Sequence, residues 1–177
     1  MRLRERHLLP VPLRAAWEAL NDLAVLSDAL PGCESLVEIA PDEFVGEMAV
    51  PLGLVTSRFT LYIVRRDVDA PHACTLRFET RTAAASGAGE AALLLQADEA
   101  GATTLQADIG VEVDGLLGAL GAPAIDLAAR RMAGEFFDRL RAAALAHHAR
   151  ARESSEGEGP RGTELPLGGQ RREERGG

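Results

Sequence analysis

Lysine occurs nowhere in the 177 residues, so all nineteen basic side chains are arginines. That absence removes a Walker-type phosphate loop, which needs its lysine, and Schiff-base chemistry of the pyridoxal or aldolase kind. Aromatic residues are only 4% of the chain although 46% is hydrophobic. A core must therefore be assembled from Leu, Val, Ala and a few Phe, and any cavity in it has aliphatic walls. Two cysteines, Cys33 and Cys74, are too few for the disulfide framework of a small secreted domain. No apolar run reaches the roughly 18 residues of a membrane span, and the N-terminal Met1-Arg2-Leu3-Arg4-Glu5-Arg6 leads into no signal-peptide core. A cytoplasmic protein is expected. Positive charge is in deficit: the net charge of -8 argues against a general affinity for nucleic acid.

What is present has the length for one domain with a real core. From Arg150 onward the sequence is Arg, Glu, Gly, Ser and Pro with two leucines, which cannot bury enough surface to offset the entropy of ordering. The expectation is a folded domain over 1–149 and a disordered polar tail over 150–177. The tail's six arginines and six glutamates cancel, so the acidity belongs to the domain.

His7-Leu8-Leu9-Pro10-Val11 reads as a short edge strand. Pro12 suits a helix start, and Leu13, Ala16, Trp17 and Leu20 recur at helical spacing up to Asn21-Asp22. A second short helix through Leu23, Leu26 and Leu30 is stopped by Pro31-Gly32. From Cys33 to Asp114 the period is two. Phe59, Leu61 and Ile63 alternate with Arg58, Thr60 and Tyr62; Leu76, Phe78 and Thr80 alternate with Arg77, Glu79 and Arg81; Leu105, Ala107, Ile109, Val111 and Val113 alternate with polar residues. Glu34–Ile39, Glu43–Val50 and Glu90–Gln96 supply further strands, with turn residues between them. Consecutive strands with short turns predict an antiparallel meander covered on one face. The cover is a long final helix opened by Pro123, with Ile125, Ala128, Ala129, Met132, Phe136, Leu140 and Ala143 in one stripe. Run to His148, it is about 39 Å long. The fold class is thus α+β, a curved sheet of about seven strands gripping a C-terminal helix.

The residues offer little chemistry. His7, His72, His147 and His148 include no zinc spacing, so no metal or cofactor is expected, and His147 and His148 suit the negative end of the last helix. Asp42, Glu43, Asp98, Glu99 and Asp114 lie in or beside turns. Cys33 has no base beside it in sequence, so it reads as a small side chain packing a turn rather than as a nucleophile. The inward strand positions read as apolar apart from Thr80, which counts against an enzyme. Thr80 can bond a ligand carbonyl or its own backbone. The stripe through Met132 and Phe136 is most simply core.

Asn21-Asp22-Leu23, then Leu26, Leu30 and Pro31-Gly32-Cys33-Glu34-Ser35-Leu36, resembles the signature of the CoxG family of carbon monoxide dehydrogenase subunits, part of the START-like helix-grip superfamily. Asp42-Glu43-Phe44 into Met48 and Gly53, Gly87-Ala88-Gly89, and Leu120-Gly121 through Ile125-Asp126 to Phe136-Phe137-Asp138-Arg139-Leu140 agree in order, so the similarity spans about Leu9 to Leu145. Leu23 replaces a usual proline, and the polar tail lacks the apolar anchor of some members.

The resemblance implies a non-catalytic accessory of molybdenum-containing CO dehydrogenase-type hydroxylases that holds a lipid- or quinone-like molecule, with any membrane contact peripheral or through the partner. Its sheet-borne lining would be Met48, Phe59, Leu61, Phe78, Thr80, Leu93, Leu95 and Ile109. Leu26, Leu30, Ile125, Ala128, Met132 and Phe136 would complete it from the helices. Pro31, Gly32, Cys33 and Glu34 would form a pocket-mouth or partner loop. The scaffold also hosts polyketide cyclase or aromatase-like enzymes, which remains the alternative.

Overall fold

The computed structural model describes residues 1–52, 55–82, 85–115 and 122–156. Strand alternation starts at the N-terminus itself. Arg2, Arg4 and Arg6 are exposed while Leu3 and Leu9 are buried, and this gives β1, Arg2–Leu9, longer than the strand expected from His7. Pro10 and Pro12 separate it from helix α1, Leu13–Asn21, which is followed by α2, Leu23–Ala29. Asp22 makes the break between the helices. Its extended backbone ends α1, and its Oδ1 accepts from the amides of Ala24 (2.8 Å) and Val25 (3.4 Å) as the N-cap of α2.

Six strands then follow: β2 Cys33–Ala40, β3 Glu43–Leu52, β4 Val55–Asp69, β5 Ala73–Arg81, β6 Ala85–Ala97 and β7 Thr103–Gly115. They form the expected antiparallel meander, and β1 adds to the last of them, giving the order β1-β7-β6-β5-β4-β3-β2. Because register and side-chain alternation are in phase, residues of one face line up in rows across the sheet. Leu61, Thr80, Gly87 and Val113 form one inward row, and Ile63, Phe78, Gly89 and Val111 the next.

Helix α3, Ala122–Glu156, covers the inner face. Arg131 and Arg139 both reach Glu135 along its surface (2.9 and 3.9 Å), the expected chain of alternating charge. The helix continues past Ala149, where the apolar stripe has ended. Arg150 to Ser154 are exposed, and the Ser154 hydroxyl donates to the Arg150 carbonyl (3.0 Å). Arg, Ala and Glu favour helix without needing burial, so the segment expected to be disordered from Arg150 begins as helix; the rest of that expectation, 157–177, lies outside the described residues.

The core closes at one end. There α1, α2 and the second half of α3 meet the sheet, burying Leu9, Val11, Ala16, Ala19, Ala29, Leu95, Leu105, Leu140 and Ala144 almost completely. Alanine on α1 lets the helix approach closely. Thr103 is the buried polar residue of this region, and its hydroxyl donates to the Val11 carbonyl (2.8 Å). The buried line of α3 is turned relative to the expected stripe: Phe137, outside that stripe, is 2% exposed. Its ring stacks on His7 of β1, centroids 4.1 Å apart. The first residue of the expected strand, His7, is thus what covers Phe137. Leu127, also outside the stripe, remains 72% exposed.

Candidate functional site

Away from the closed end, the inner face changes character. Phe59, Leu61, Ile63, Phe78, Val111 and Val113 point inward by register, yet all are only half-buried. On α3, Ala128, Ala129, Met132 and Phe136 are half-buried too. Of the other expected lining residues, Leu26 and Leu30 are half-buried at α2, and Leu93 and Ile109 pack beside the core. Met48 is buried, and Leu95, at 0% exposure, belongs to the closed core. The side chain of Ile125 lies outside the described residues. The structure therefore brings most of the proposed lining to one face, with Leu95 in the closed half of that face.

Glycines shape that face. A Cβ at Gly87 would stand 3.1 Å from Thr80 Cγ2, and one at Gly89 would stand 2.5 Å from Cζ of Phe78 and 2.3 Å from the Gly110 carbonyl. The Gly87-Ala88-Gly89 run thus makes room for Phe78 and Thr80 to lean across β6. Thr80 Oγ1 is buried and has no hydrogen-bond partner among the described residues. A buried hydroxyl without a partner costs about 1–3 kcal/mol, and native structures leave few such groups.

The inner face is not otherwise wholly apolar, contrary to the sequence reading. Glu5, His7 and Arg65 also point inward by register. His7 Nε2 and Glu5 Oε2 lie 3.2 Å apart, with the His7 ring against Phe137 in the closed half. Arg65 reaches Asp42 Oδ1 with Nε (2.7 Å) and Nη2 (2.6 Å), donates through Nη1 to Asn21 Oδ1, and lies over the Phe44 ring at 5.5 Å. It clamps the end of α1 to the β2–β3 turn. Carrying the alternation of β1 back from Leu9, and that of β4 on from Ile63, would have found all three.

The Pro31–Glu34 run is fastened down. Pro31 is buried, and Gly32, at φ 77°, accepts a hydrogen bond from the Ala49 amide (2.7 Å). A Cβ there would stand 2.3 Å from the Ala49 carbonyl oxygen, so only glycine fits. The Cys33 thiol donates to the Ser35 carbonyl (3.4 Å) and lies 3.6 Å from Ser27 Oγ. Glu34 is exposed and bound to Arg58 (3.1 Å). Burial pushes the Cys74 thiol up, opposed by the nearby Arg65 charge. His147, expected at the end of α3, instead meets Asp22 Oδ2 at 3.3 Å, because the helix runs on beyond it.

Among the described residues no group of His, Cys, Asp and Glu has the arrangement of a metal site. A cleft of about 440 Å³ lies on the other side of the sheet, floored by Ala88 and Gly110 and rimmed by Arg2, Arg77, Glu79, Glu90 and Glu112. Its charged, open rim sets it apart from the inner face. Among the described residues no helix is long and apolar enough to cross a membrane.

Comparison with solved structures finds the same fold at low identity. A conserved protein from Geobacillus kaustophilus is 20% identical with a TM-score of 0.78, over 82% of this chain and 96% of that one. A START superfamily protein from Mycobacterium smegmatis is 10% identical with a TM-score of 0.65, over 82% and 97% of the two chains. The Zhui aromatase/cyclase from Streptomyces sp. R1128 is 14% identical with a TM-score of 0.56, over 82% and 93%. The architecture is therefore the START-like helix grip. No curated protein matches the sequence. The family model for CoxG, a subunit of carbon monoxide dehydrogenase, matches residues 9–145, the span that holds Asn21, Asp22, Gly32, Gly87, Gly89 and Phe137. The chain belongs to the CoxG family.

Proposed function

We propose that this protein is a non-catalytic accessory that holds an apolar, lipid- or quinone-like molecule between the sheet and α3 and associates with a molybdenum hydroxylase of the CO dehydrogenase type. Family membership supports the association, which would also bring the protein to the inner face of the membrane through its partner. The observation that carries the ligand is Thr80 Oγ1, buried and unpartnered among the described residues in a row of aliphatic side chains and glycine. A single hydroxyl in an apolar wall suits a ligand with one oxygen among carbon atoms. The Pro31–Glu34 run, fixed to β3, would serve as a rigid rim.

A small-molecule enzyme on this scaffold is the second reading. The Glu5–His7 pair favours it, as the inward acid-base pair that general acid-base chemistry requires. The pair sits against Phe137 in the closed half, away from Thr80, which is why the carrier leads.

Thr80→Val keeps the shape and removes the oxygen, so it is the test. Affinity for a fluorescent fatty acid or a quinone analogue should fall by about three- to tenfold, while thermal stability holds or rises. Absence of binding by the wild type rejects the carrier. Recovery of no hydroxylase subunit in pull-downs from the native host rejects the partner.

A further inference from the structure

β2 ends the sheet on its side, so among the described residues one edge of its backbone carries no ladder. Soluble proteins blunt such edges with charge, proline or cover. The register of β2 shifts at Cys33/Ser35 and at Glu38/Ala40, and its outward side chains there are Val37, 51% exposed, and Ile39, 59% exposed. The apolar surface continues across the outer face through Val45, which pairs with Val37, to Tyr62, which pairs with Val45 and is 50% exposed. Tyr62 is the chain's single tyrosine, a side chain enriched at interfaces because it joins a large apolar ring to a polar tip. Toward the opposite edge the same outer face is mixed, with Arg4, Gln106, Asp108 and Glu112 beside the exposed Leu8 and Leu94.

The edge strand and its neighbour are acidic, with Glu34 already paired to Arg58 of β4 (3.1 Å). β2 and β3 contain Glu34, Glu38, Glu43 and Glu47 and no basic residue. Glu43 and Glu47 flank Val45 on the outer face, and Glu38 is exposed on the reverse side of β2.

We propose that the β2 edge docks a strand of another protein in which apolar and basic side chains alternate. The incoming backbone pairs with the free edge, its apolar residues cover Val37 and Ile39 on the outer face, and its basic residues, on the reverse face, approach Glu38. Main-chain bonds supply affinity, while the alternating side chains and their charge supply selectivity. A second copy of this chain meets the edge less well, since it brings its own glutamates and like charges facing each other across a strand pair are destabilising. The surface lies on the other side of the sheet from Thr80, so the inference stands independently of the ligand.

A labelled peptide alternating valine with arginine, and a twin alternating valine with glutamate, test it on the full chain. The basic peptide should bind at least about tenfold more tightly than the acidic one, and more weakly as salt rises from about 50 to about 300 mM. Val37→Arg and Ile39→Arg, both at exposed positions, should each reduce that binding about tenfold with the melting temperature unchanged. Equal affinity for the two peptides, or binding indifferent to both substitutions, overturns the proposal. So does a dimer in sedimentation equilibrium that Val37→Arg dissociates, because the edge would then belong to a second copy.

Discussion

His147 of the long helix meets Asp22 at 3.3 Å through the carboxylate oxygen that the α2 cap leaves free. One side chain thus starts a helix with Oδ1 and holds a second helix with Oδ2. Asp22→Ala should lose both and destabilise by about 1–2 kcal/mol, whereas Asp22→Asn retains the capping oxygen and should lose less than half as much. Urea unfolding of the two variants checks this; equal losses would mean that the His147 contact, not the cap, carries the effect.

Gly32 and Gly101 share a left-handed backbone, φ 77° and 82°, but not their surroundings. A Cβ at Gly101 meets nothing within 4 Å, while one at Gly32 meets the Ala49 carbonyl oxygen at 2.3 Å. Gly101→Ala should therefore cost only the backbone term, about 1 kcal/mol. Gly32→Ala adds a clash with strand backbone and should cost roughly 3 kcal/mol in chemical denaturation. Similar values for both would show that the Gly32 turn can move away from β3.

Much of this architecture was legible because burial is periodic. Leu105 through Val113 marked β7, and the turn residues between strands marked the meander. What escaped was set by contacts distant in sequence. Arg2-Leu3-Arg4-Glu5-Arg6 looks like a charged leader until β7 pairs with it, and only then does its alternation have an inside. Phe137 falls outside the apolar stripe of α3, and its cover, the ring of His7, comes from the far end of the sequence. The hydroxyl of Thr80 was a plausible ligand contact from its position, but its lack of a backbone partner depends on how it leans toward Gly87. The end of α3 was misread because apolar periodicity reports burial, and its last turns are helical without being buried.

Gly89→Ala should be among the most damaging single substitutions in the sheet, costing about 3 kcal/mol, since its methyl group would strike both the Phe78 ring and the Gly110 carbonyl. Adding Phe78→Ala in the same chain relieves the first clash alone. Calorimetry of the single and double variants should show that the second substitution recovers none or only part of the lost stability. Full recovery would mean that β6 and β7 separate at little cost.

The two thiols should differ in reactivity. Native protein treated with iodoacetamide at about pH 8 should be alkylated at Cys33 before Cys74, whose burial disfavours the thiolate. The same burial makes stability depend on pH. The folded Cys74 holds its proton above the ordinary thiol value of about 8.5, so its contribution is complete below that pH and declines as pH rises past it. Cys74→Ala should flatten the alkaline decline, and an unchanged profile would assign that decline to other groups.

Every ladder bond of β1 is made with β7: Arg2 pairs with Gly110, Leu9 with Thr103, and the terminal ammonium of Met1 with the Val111 carbonyl at 2.8 Å. The first strand synthesised therefore has no mate until the last strand exists, and the stacking of His7 on Phe137 waits for the helix after that. Sheets assembled from such distant pairings fold slowly, on the order of milliseconds to seconds. A nascent chain halted before residue 103 would hold an open meander with its apolar side uncovered, so the ribosome must release nearly the whole domain before any of it can shut.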